Sequence, residues 1–182
     1  GRALRNQGYN WFDAEPAPPQ LSEAIKKAFG HGLFSFRTGN IYTAALLKQW
    51  VAWAVGIGTP PEEIWEDRGH FFDPFRPNIE PDGFETRDEL LRSRGATLKA
   101  IRRVVEESKV FVFTMGLTEA WLNRDGGYVY PMCPGTLHGK FDPAAHAFKN
   151  YRYAEVMRDM RDTFDVIRGL NKSIRFLLTV SP

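Results

Sequence analysis

The sequence predicts a three-layer α/β domain built on a parallel sheet. Strand and helix alternate along its second half: a helical pattern over Thr86 to Lys109, a strand at Val110, a helix over Tyr151 to Arg168 and a strand over Ile174 to Val180. Parallel neighbours need such crossovers, and the crossovers are right-handed. The run Val110-Phe-Val-Phe-Thr114 is unbroken β-branched and aromatic sequence, which predicts a strand buried on both faces. It breaks at Gly116 into Leu117-Thr118-Glu119. Open α/β sheets place their ligands beyond the carboxyl ends of the strands. The same rim would hold Ser181-Pro182, at the end of the second strand.

Taken in order, Gly1 to Gln7 reads as the last turns of a helix, stopped by Gly8. Tyr9 to Pro19 is an aromatic, proline-rich connection, and Ser22 caps a short helix from Glu23 to Phe29 that Gly30 ends. Phe34-Ser-Phe-Arg-Thr-Gly-Asn40 leads into a helix with Asn40 as its N-cap. Ile41, Ala44, Ala45, Leu47, Trp50, Val51 and Ala54 keep one face of that helix apolar to about Val55.

Thr59 to Arg87 is irregular and rich in proline, glycine, acids and aromatics. It is too aromatic for a disordered linker. Two readings stand: a functional loop, or an insertion packed down by Trp65, Phe71, Phe72 and Phe75. The helix after it turns Leu90, Leu91, Leu98, Ile101, Val104 and Val105 inward. Asp125-Gly126-Gly127 marks a hairpin between Trp121 and Tyr130. Met132 to Thr136 is a turn, and Gly139 to Pro143 and His146 to Asn150 read as loop. In the last helix Tyr153, Val156, Met157, Met160, Phe164 and Ile167 recur at spacings of three and four, and Gly169 closes it.

Composition narrows the function classes. At 182 residues the chain is a single domain, or one with a piece missing, and it needs no disulfide staples. A net charge of +2, with cations interleaved among acids, gives no basic stripe for nucleic acid. No apolar run reaches the ~18–20 residues of a bilayer span. One cysteine, Cys133, excludes an internal disulfide and fits a reducing, cytoplasmic compartment. The chain opens inside a helix and stops directly after a strand, so it reads as an internal stretch of a longer protein.

Among reactive side chains, His31, His70, His138 and His146 lack the close spacing of a metal-ligand set, so no metal is expected. Cys133 has no adjacent base and reads as a packed thiol. No serine stands in a nucleophile elbow. Thr38-Gly39-Asn40 would offer backbone N–H groups to an anion or oxyanion.

Several blocks nevertheless resemble the bacterial GSCFA family: Phe34-Ser-Phe-Arg-Thr-Gly-Asn-Ile-Tyr-Thr43, Phe72-Asp-Pro-Phe-Arg-Pro77, Phe113-Thr-Met-Gly-Leu-Thr-Glu-Ala-Trp121, Cys133-Pro-Gly-Thr136, Gly139-Lys-Phe-Asp142, His146-Ala-Phe-Lys-Asn150 and Leu178-Thr-Val-Ser-Pro182. They are collinear and cover nearly the whole chain. The family resembles a branch of the SGNH (GDSL-like) hydrolases. That resemblance implies a flavodoxin-like α/β/α fold, esterase or acyltransferase chemistry on an O-acyl small molecule or glycan, and no cofactor. The family's Gly-Ser-Cys-Phe-Ala block, whose serine resembles the SGNH nucleophile, does not occur here, and neither does the expected base histidine.

What remains is the middle of the site. Gly39 resembles the glycine that lends an oxyanion-hole N–H, with Asn40 beside it. Gly116-Leu-Thr-Glu119 stands in the place of the SGNH Gly-x-Asn-Asp block, with Thr118 where the oxyanion asparagine would be. A hydroxyl also donates, from a shorter arm. Asp73, Arg76 and Trp121 are expected to line the substrate pocket. This reading requires the turn at Thr38 and the loop after Met115 to meet at one cleft. The alternative is a non-catalytic carbohydrate-binding or interaction module that stacks sugars on Trp65, Trp121, Tyr128 and Tyr130.

Overall fold

The computed structural model describes residues 2–180, with side chains from Leu4 onward. The fold is mixed α/β. Its elements are α1 (Arg2–Asn6), α2 (Glu23–Ala28), α3 (Ala44–Val55), β1 (Trp65–Asp67), β2 (His70–Phe72), α4 (Arg87–Glu107), β3 (Val110–Met115), β4 (Glu119–Asn123), β5 (Val129–Tyr130), β6 (His146–Asn150), α5 (Tyr153–Leu170) and β7 (Arg175–Val180).

The described strands form small separate sheets. β3 and β7 pair in parallel, in register from Val110 opposite Arg175 to Met115 opposite Val180. β5, β4 and β6 form an antiparallel sheet, and β1 and β2 a hairpin. The inner face of β3 carries Phe111 and Phe113 into one core with Leu46, Leu47, Trp50 and Val51 of α3, Ile101, Val104 and Val105 of α4, and Met160 and Ile167 of α5. The strands are not buried on both faces. Val112 is 45% and Leu177 52% exposed, on the side away from these helices. A continuous apolar run says that a strand is well packed, not how many layers cover it.

Local capping chemistry sets the helix starts. The side chains of Ser22, Thr43 and Thr86 accept N–H groups of Ile25, Leu46 and Glu89. The long helix α3 therefore starts behind Thr43 and not Asn40, whose amide nitrogen instead donates to the Tyr42 hydroxyl at 2.7 Å. Helix α5 runs through Gly169 to Leu170. Its cap, Asn171, donates to the carbonyls of Val105, Glu106 and Ser108 and ties α5 to the end of α4.

One other segment departs from expectation, and the irregular segment follows the packed reading. His146–Asn150 is a strand, paired antiparallel with β4, so Phe148 stands opposite Trp121. Its sequence has little β-propensity, and distant pairing overrides it. The segment from Thr59 to Arg87 puts Trp65, Phe72 and Phe75 into the main core. The hairpin at Asp125-Gly126-Gly127 is present, with the Asn123 side chain accepting the Asp125 and Gly126 N–H groups. Among the described residues no helix is long and apolar enough to cross a membrane. Ser181 and Pro182, expected on the strand rim, lie outside the described residues, as does Gly1.

Candidate functional site

The turn before α3 is built around Gly39, whose φ of +72° is left-handed. Any other residue there carries backbone strain. A Cβ would also lie 3.2 Å from the Asn78 side-chain oxygen. Thr38 is buried, and its hydroxyl donates to the Gly39 carbonyl at 3.0 Å. Among the described residues, the backbone N–H groups of Gly39 and Asn40 have no acceptor. Thr38, Asn40, Tyr42, Pro77, Asn78, Pro131 and Met132 surround a recess of about 40 Å³. A cavity needs roughly 10–15 Å³ to hold one water, so the recess is large enough for an oxygen-sized group.

The loop after β3 meets this turn at Tyr42. The Tyr42 carbonyl accepts the N–H groups of Gly116 at 3.2 Å and Leu117 at 3.0 Å. Those two donors are therefore spent on the scaffold. Gly116, Thr118 and Glu119 are all exposed. The Thr118 carbonyl accepts the Tyr151 N–H at 2.7 Å, which pins the loop to the start of α5. Among the described residues the Thr118 hydroxyl and the Glu119 carboxylate have no hydrogen-bond partner.

Asp73 and Arg76 do not line a pocket: each is 1% exposed. The Asp73 carboxylate accepts Arg76 Nε at 2.8 Å, Arg94 Nε at 3.1 Å, Arg94 Nη2 at 2.9 Å and the Phe75 N–H at 3.0 Å. Burial pushes its carboxyl up, but the Arg76 and Arg94 guanidinium groups outweigh that and hold it below the usual carboxylate range. Arg76 Nη1 donates to the Thr97 hydroxyl, which donates to Glu15, and the other Glu15 oxygen accepts the Arg37 N–H at 2.7 Å. This buried network braces the turn from behind, one residue before Thr38.

Trp121 sits elsewhere, partly buried on β4 and edge-on to Phe141 and Phe148. Trp65 and Tyr130 are 7% and 1% exposed, so their faces are spent on the core and present no stacking surface. Their polar ends, and the Tyr128 hydroxyl, converge on the Glu63 carboxylate. That contact adds to burial in raising Tyr128 to about 12.

The sequence reading missed three participants. The Tyr42 carbonyl is a backbone group and leaves no mark in the sequence. Glu15 lies in a proline-rich connection. Arg94 left a usable sign: it falls on the apolar stripe of α4 with Leu90, Thr97 and Ile101, all buried. An arginine on such a stripe requires a buried acid.

Among the described residues, no group of three or more metal-ligating side chains is placed to hold an ion. The His146 ring nitrogen Nδ1 accepts the Asp142 N–H at 3.0 Å, which leaves the proton of the neutral ring on Nε2. Burial pushes the Cys133 thiol up, so it is a thiol and not a nucleophilic thiolate at neutral pH.

No curated protein and no solved structure matches this chain. The sequence model of the GSCFA family matches residues 1–182, and the chain belongs to the GSCFA family.

Proposed function

We propose that this chain supplies the oxyanion-stabilising and pocket-shaping part of an SGNH-type serine esterase or acyltransferase acting on an O-acyl small molecule or glycan. On this reading the parallel β3–β7 pair belongs to a three-layer, flavodoxin-like sheet. The serine of the family's Gly-Ser-Cys-Phe-Ala block attacks the ester carbonyl carbon and gives its proton to a histidine base. The carbonyl oxygen becomes an oxyanion, held by the Gly39 N–H and the Thr118 hydroxyl. Collapse expels the alcohol, which takes the proton from the histidine. Water, or another hydroxyl in a transferase, then releases the acyl group by the same steps.

One observation carries the proposal: among the described residues the Gly39 N–H has no acceptor, and its left-handed turn is joined through Tyr42 to the Thr118 loop. A preorganised donor of this kind contributes on the order of 10²–10³ in rate. The test is hydrolysis of p-nitrophenyl acetate by the protein that carries the Gly-Ser-Cys-Phe-Ala block. Changing that serine to alanine abolishes turnover, and Thr118→Ala lowers kcat by roughly tenfold or more with KM little changed. Undiminished hydrolysis by the serine variant would refute the esterase reading.

A carbohydrate-binding module remains the second reading, and a specific feature favours it. Trp121 is flanked by Phe141 and Phe148, which are exposed. Saturable oligosaccharide binding that Trp121→Ala removes, in a protein that hydrolyses no ester, would establish this reading instead.

A further inference from the structure

A second cleft shares no lining residue with the recess beside Asn40 and Asn78. Its volume, about 400 Å³, is about ten times larger and falls within the range of small-molecule sites. Arg5 of α1 and Lys26 and Lys27 of α2 supply its cations, and Asp13 and Glu23 its carboxylates. The Lys26 ammonium is paired with Glu23 at 2.8 Å. Among the described residues neither Arg5 nor Lys27 has an ion-pair partner. One Asp13 oxygen accepts the Glu15 N–H at 3.2 Å.

His31 adds no charge. Its Nδ1 lies 3.3 Å from the Glu15 carbonyl, which can only accept, so Nδ1 carries the proton. Burial, together with Arg37, holds the ring below its ordinary value and neutral at pH 7. Among the described residues of the lining, three cations against two carboxylates leave one positive charge over. Pro16, Ala17 and Leu33 add apolar wall. The Arg5 guanidinium lies over Gly32, with Nη1 3.1 Å from where a Cβ there would stand.

We propose that this cleft binds a small organic monoanion, a carboxylate on an apolar body, through Arg5 and Lys27. A single surplus charge matches one carboxylate, and the apolar wall matches the body that carries it. Asp13 sets the limit, since a second negative charge on the ligand would face it.

The test is an amide NMR titration of the whole chain with benzoate, with benzamide as the uncharged isostere. Benzoate gives saturable shifts at Ala17, Gly32 and Leu33, whereas benzamide at the same concentrations gives none. Inorganic phosphate, which has the charge without the body, binds at least tenfold more weakly. The double variant Arg5→Ala/Lys27→Ala keeps its melting temperature, because both side chains are exposed, and loses benzoate affinity by tenfold or more. Asp13→Asn keeps the acceptor for Glu15 and binds benzoate more tightly. Equal binding of benzoate and benzamide, no saturation at these amides, or unchanged affinity in the double variant would each overturn the proposal.

Discussion

Asp73→Ala lowers the unfolding free energy by about 3–5 kcal/mol, the usual cost of removing one partner from a buried ion pair. The side chain is fully enclosed, and its loss strands two guanidinium groups, those of Arg76 and Arg94, that are themselves buried. Domain stabilities lie near 5–15 kcal/mol, so the loss is about a fifth or more of the total. Asp73→Asn behaves similarly, because an amide still fills the space but leaves both cations uncompensated. Urea denaturation followed by circular dichroism measures the change, and a loss under ~1 kcal/mol would contradict the network's role.

The pH dependence has a definite sign. Arg76 and Arg94 outweigh burial and set the folded carboxyl below its ordinary 3.8. The unfolded chain therefore takes up this proton first. The contribution is fully present above about pH 4 and drains as pH falls through the folded value. The Asp73→Ala protein lacks that component of acid sensitivity.

Gly139→Ala costs about 2–5 kcal/mol, as the sum of two effects. Overpacking a filled core costs ~1–3 kcal/mol and a left-handed backbone ~1–2 kcal/mol. At Gly139 the φ is +75°, and a Cβ would stand 2.5 Å from Cδ2 of Trp65 and 2.9 Å from Cγ. The indole cannot swing aside: it is enclosed in the core, and its Nε1 donates to Glu63 at 2.9 Å. Thermal melting shows a drop of roughly 5–15 °C at this chain length. Gly127→Ala is the control, since its φ is +66° and nothing lies within 4 Å of the added atom. Only the backbone cost applies there, so equal losses in the two variants would show that the Trp65 contact is immaterial.

Much of this architecture was legible wherever a local signal sufficed. The apolar stripes of α4 and α5, the β-branched run of β3 and the Asp-Gly-Gly turn each specify their own conformation, and each element is present, although Leu91 and Tyr153 of those stripes are exposed. What a strand's second face meets is not a local property, and Val112 and Leu177 on their exposed side demonstrate it. The start of α3 was ambiguous because Asn40 and Thr43 are both capping residues; only the three-dimensional path of Ile41 and Tyr42 decides between them. At the site, family resemblance singled out Gly39, and its left-handed φ of +72° is a conformation that favours glycine. The roles of Asp73 and Arg76 were not. Charged residues in an aromatic, proline-rich loop look ligand-facing until the partner is known, and Arg94 reaches them from a helix further along the chain.

The proposal that the Gly39 N–H receives the developing oxyanion is tested most directly by Gly39→Ala in the protein that carries the Gly-Ser-Cys-Phe-Ala block, assayed on p-nitrophenyl acetate. The added methyl meets the Asn78 oxygen and strains the turn, so the donor is displaced while the Asp73 network stays whole. A shift of about 1 Å at such a donor costs on the order of 10² in rate. The account predicts a hundredfold fall in kcat/KM from a variant that still folds. Hydrolysis within twofold of the unaltered protein, from a variant with the same circular dichroism, would contradict it.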